Sequence, residues 1–92
     1  MTQRTSVEEV LAFLGIEDRE LLLLLRAEGL FEADDLSADE CEDFRVAVHL
    51  MTDLGVNAAG VQVILRMRSR LLNLEERTSE ALRLLLEERE GR

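Results

Sequence analysis

A chain of 92 residues, 47% hydrophobic and 34% charged, is too apolar for disorder and too short for a cleft between two domains. Proline, tryptophan and tyrosine are absent and all eleven cations are arginine, which leaves a leucine- and glutamate-rich composition of helical type. The net charge of −9 is unevenly held: fourteen acids face four arginines up to Val56, net −10, while six acids face seven arginines from Asn57, net +1. An acidic body of that kind repels nucleic-acid phosphates and attracts basic protein surfaces.

Ser6-Val7-Glu8-Glu9 has the form of a capping box, opening a first helix with Val7, Val10, Leu11 and Leu14 on one stripe and Gly15 as its stop. Asp18 is placed to cap a second helix from Arg19 to about Glu28, ended by Gly29, so that the pair reads as a helix-turn-helix. This second helix carries five consecutive leucines, Leu21 to Leu25, and at 100° per residue they face every direction. Leu21, Leu22 and Leu25 are expected to point inward, leaving Leu23, Leu24 or both outside. The alternative is that all five are core and dimer contacts.

Residues Phe31 to Leu36 read as a loop. Ser37-Ala38-Asp39-Glu40 forms a second capping box, starting a third helix to about Leu54 with Cys41, Phe44, Ala47, Val48 and Met51 inward. Asn57 caps a fourth helix that meets no breaker before Gly91, about 45 Å of helix. Ile64, Met67, Leu71, Leu74, Thr78, Ala81 and Leu85 alternate spacings of three and four along it, a coiled-coil seam, and Val61, Leu65, Leu72, Leu82 and Leu86 widen that seam. The expected class is therefore all-α. Residues 1–56 form an acidic helix-turn-helix body with a third helix, and 57–92 a long helix that makes a homodimer through Leu71, Leu74, Thr78, Ala81 and Leu85. A fold back at Asn73 onto the same chain is the alternative.

No apolar run is long enough to span a bilayer, and no basic-then-apolar leader opens the chain. One cysteine cannot make an internal disulfide, so a cytoplasmic protein is expected. Cys41 and His49 lie about 12 Å apart along one helix, too far to share a metal ion, and no nucleophile–base set or glycine-rich phosphate loop is present. No enzyme, cofactor or metal site is expected.

The stretches VEEVLAFLGI, LRAEGLF and DLGVNAAGVQVILRM, in that order and spacing, resemble the N-terminal domain of MerR-type regulators. Within that superfamily they most resemble the chaperone-modulator, CbpM-like branch, over about Ser6 to Arg68. The resemblance implies a MerR-like helix-turn-helix followed by two further helices. It also implies a non-enzymatic modulator that binds the J-domain of a DnaJ/CbpA-type co-chaperone and regulates its work with Hsp70. Relatives that bind DNA carry an Arg-Tyr-Tyr run where Leu23, Leu24 and Leu25 stand here, and a basic wing where Phe31 through Phe44 holds no cation. DNA is therefore not the expected partner, and a MerR-like dimeric transcription regulator is the alternative. Leu23 and Leu24, with Glu32, Asp34, Asp35 and Asp39, are the residues expected to meet the partner.

Overall fold

The computed structural model describes residues 3–91. The chain is mostly helical, with α1 (Val7–Phe13), α2 (Glu20–Ala27), α3 (Ala38–Asp53) and α4 (Ala58–Glu90). It is not all-α, however. β1 (Arg4–Ser6) pairs antiparallel with β2 (Asp35–Ser37), Thr5 opposite Leu36, and β2 takes up Asp35 and Leu36 from the stretch read above as a loop. Arg-Thr-Ser and Asp-Leu-Ser are too short to show strand alternation and are rich in turn-type residues. Their pairing comes from tertiary contacts. Val7 N–H continues the ribbon by donating to Asp34 O at 2.8 Å, and the Arg4 guanidinium grips the Asp35 carboxylate at 3.1 Å.

Both strands run straight into helices through a serine. Ser37 makes the full reciprocal box with Glu40, at 3.2 Å and 3.1 Å. At Ser6 only the forward half forms among the described residues, Glu9 N–H to Ser6 Oγ at 3.2 Å, so the Glu9 carboxylate is not spent on capping. Asp18 also acts one residue further out than expected. Its Oδ1 accepts from Glu20 N–H at 2.9 Å, and α2 begins at Glu20 with Arg19 in the cap position.

α1 and α2 end identically. Gly15 and Gly29 take φ of 72° and 79°, and the next residue, Ile16 or Leu30, donates back to Leu11 or Leu25 at 2.9 and 3.1 Å. That is a Schellman closure, and it turns Ile16 and Leu30 back against the core. Phe31 follows in the same left-handed region at φ 53°, which an aromatic residue rarely adopts. In return its ring meets Phe44 edge-to-face, centroids 5.0 Å apart, and Arg26 Nε donates to its carbonyl at 2.9 Å.

One core joins the four helices and β2. Leu25, Leu36, Phe44 and Val61 are its largest fully buried members, from α2, β2, α3 and α4 respectively. Ala58, Val61 and Leu65 commit the first turns of α4 to it. Past them α4 continues unbroken through Asn73, 33 residues in all, about 50 Å in a molecule whose longest extent is 60 Å. It does not fold back, since nothing between Asn57 and Gly91 interrupts the ladder.

A charged clamp ties α3 to α4 where the core ends. Arg68 donates to the Asp43 carboxylate at 2.6 Å, each side chain being about a third exposed. Burial pushes the Asp43 carboxyl up; Arg68 pulls it down, but Asp39 and Glu42 add to the rise. The folded carboxyl thus takes its proton at higher pH than the unfolded one. That contribution to stability is complete below the unfolded value and is lost as pH rises through the folded one. Arg68 limits the loss. Because solvent screens a pair this exposed, Arg68→Gln should lower stability by only about 1 kcal/mol near pH 7. The difference from the parent should vanish near pH 3, where Asp43 is protonated in both proteins. Thermal melts at the two pH values check this, and an equal deficit at both would assign Arg68 to packing alone.

Candidate protein-binding surfaces

Helical geometry divides the leucine run. Leu22 and Leu25 are buried and Leu21 is half-buried, while Leu23 is 64% and Leu24 46% exposed. The acidic turn lies against the same helix because Arg26 reaches from α2 to hold it. Its guanidinium donates to the carbonyls of Phe31 and Ala33, at 2.9 and 3.1 Å, and pairs with Asp34 at 3.8 Å. Of the four acids expected to meet a partner, Glu32 and Asp34 stand on this turn. Asp35 is drawn into the ribbon by Arg4, and Asp39 sits on the first turn of α3.

The charge is less available than its sum implies, and the cations less still. Every arginine up to Val56 is engaged: Arg4 with Asp35 and Glu40, Arg19 with Glu8, Arg26 with Asp34, and Arg45 with Glu42. His49 faces Asp53 one turn on. Among the described residues, Glu9, Glu17, Asp18, Glu20, Glu28, Glu32 and Asp39 have no ion-pair partner. The body therefore offers free carboxylates and no free guanidinium.

The outer half of α4 is a second apolar surface. Met67, Leu71, Leu72, Leu74, Leu82, Leu84, Leu85 and Leu86 are all exposed, as are Thr78 and Ala81 between them. Thr78 Oγ1 donates to its own helix at Leu74 O, 2.9 Å, so its methyl group is the part left to pack. Two internal ion pairs, Arg83 with Glu80 and with Glu87, occupy the opposite flank.

The sequence reading did not single out the most exposed of the large hydrophobic side chains. Phe13, the last residue of α1, is 87% exposed, whereas Phe31 and Phe44 form the core pair. The available signal was its angle: Val7, Val10, Leu11 and Leu14 share a stripe, and Phe13 lies about 110° from its centre.

Cys41 is partly buried, with Sγ 3.9 Å from Leu36 O, and among the described residues no group of three His, Cys, Asp or Glu side chains is placed to hold a metal ion. No helix among them is long and apolar enough to cross a membrane. Compared with family models, with curated proteins and with solved structures, the chain gave no match.

Proposed function

We propose that this protein is a non-enzymatic modulator that binds the J-domain of a DnaJ/CbpA-type co-chaperone and regulates its work with Hsp70. It acts as a homodimer joined along the outer half of α4, with α1 and α2 serving as a MerR-like helix-turn-helix turned from DNA to protein. The observation that carries this reading is the exposed pair Leu23 and Leu24 on a body with free carboxylates and every arginine already engaged. J-domains present a basic helix to Hsp70. Acids would steer that helix in, and desolvated leucines would slow its departure.

The test is direct binding of a J-domain at about 100 mM salt. Glu32→Gln, Asp34→Asn and Asp39→Asn together, which leave the Asp35 clamp on the ribbon intact, should slow association about tenfold at low salt and flatten its salt dependence. Absence of binding by the unmodified protein would remove the reading. The competing one, a MerR-like dimeric transcription regulator, draws on helix order alone. Specific retardation of duplex DNA at physiological salt would favour it; none is expected from this surface.

A further inference from the structure

The exposure of Phe13 has a setting. Val10 and Phe13 of α1 and the C-cap Leu14 line a cleft of about 400 Å³ with Ala38 and Cys41 of α3 and Thr5 of β1, open to solvent. β1 and β2 are antiparallel, so α1 and α3 leave the ribbon from opposite ends, through Ser6 and Ser37, and the cleft is lined by the first two turns of α3 and by α1 as far as its C-cap. A phenylalanine ring at the edge of such a cleft is in water by geometry, not for want of an apolar surface to lie on.

Its rim states what would fit. Glu9 and Glu42 stand at the mouth. Glu9 has no ion pair among the described residues, and the absent half of the Ser6 box leaves its carboxylate outward. Arg45, the cation at the rim, is held by Glu42 through two hydrogen bonds, 2.5 and 3.1 Å, which also keep the Glu42 carboxyl below its usual range and ionised. An anionic ligand would meet carboxylates and a guanidinium already taken. A small polar ligand would find few unspent donors. A basic protein segment with one bulky apolar side chain meets a match at both places.

We propose that this cleft is the anchor site for the J-domain partner: a leucine- or phenylalanine-sized side chain from its basic helix enters against Phe13, Val10 and Leu14, and a neighbouring Lys or Arg pairs with Glu9. The inference rests on the function proposed above and moves the centre of contact from α2 to α1 and α3. Phe13 carries the largest share of the contact, as buried aromatic anchors do at interfaces.

Cys41, the chain's one cysteine, lines this cleft and makes it directly addressable. Alkylation of Cys41 by N-ethylmaleimide is timed in the full-length protein, alone and with a saturating purified J-domain. Binding should slow the reaction at least tenfold, and protein alkylated beforehand should bind at least tenfold more weakly. Phe13→Ala should weaken binding at least tenfold with its melting temperature unchanged, and Phe13→Leu should recover part of the loss. If the J-domain binds while neither Cys41 reactivity nor Phe13→Ala responds, the cleft is not the site and the function proposed above survives. If Cys41 is protected in the protein alone as its concentration rises, a second copy fills the cleft and the inference is overturned. No J-domain binding at all overturns both.

Discussion

Leu25→Ala should cost the fold about 2–5 kcal/mol, and Leu23→Ala, two residues away, less than about 0.5 kcal/mol. Leu25 is wholly buried, in the same core as Leu36, Phe44 and Val61, so truncation leaves a cavity where the surrounding elements are least able to collapse. Leu23 keeps 64% of its surface in water and loses little when shortened. For a domain of this size the first change should lower the melting temperature by roughly 10 °C or more, and the second by a few degrees at most. Calorimetry on the two proteins measures the contrast directly. Equal losses would mean that Leu23 is covered in solution, and the outward face of α2 would then belong to an assembly of the protein itself.

The intact protein should be a dimer, and a chain ended after Arg70 should be a monomer. That cut spares Leu65 and Arg68, which hold α4 to the body, and removes the exposed leucines from Leu71 onward. Each of those side chains would contribute about 1.5–3 kcal/mol if fully covered. Placing carboxylates on the seam, Leu74→Glu with Leu85→Glu, should raise the dimer dissociation constant at least about a hundredfold without unfolding the body. Light scattering and sedimentation on the three proteins decide the matter. A full-length protein that stays monomeric at high micromolar concentration would sink the dimer.

The helices were legible because each one is announced by a side chain that does local work. Ser37 and Asn57 accept from the amides three residues on, and Gly15 and Gly29 take the left-handed turn that ends a helix. The division of the five leucines follows from rotation about the axis. The ribbon was not legible, because Thr5 and Leu36 meet across thirty intervening residues and neither strand is long enough to alternate. Phe13 was passed over for the opposite reason. It lies off an otherwise regular apolar stripe, and an aromatic residue outside a stripe is easily read as noise when it is the exception to explain. Nor could sequence show that Arg4 pairs with Asp35 and Arg26 with Asp34, since the fold brings each pair together.

The lopsided placement of the core has a consequence for how the chain responds to denaturant. Among the described residues every buried hydrophobic side chain lies between Val7 and Leu65, and those beyond add length and helix but no side chain to the core. The steepness of a urea transition follows the area newly wetted on unfolding, not the number of residues. Seen that way, the lone protomer is a protein of about sixty residues with a rod attached, and the heat capacity it gains on unfolding is correspondingly small. Association along the rod would bury the missing third. The same chain would then unfold with the steeper slope of its full length, and the slope itself would report how much of α4 is covered.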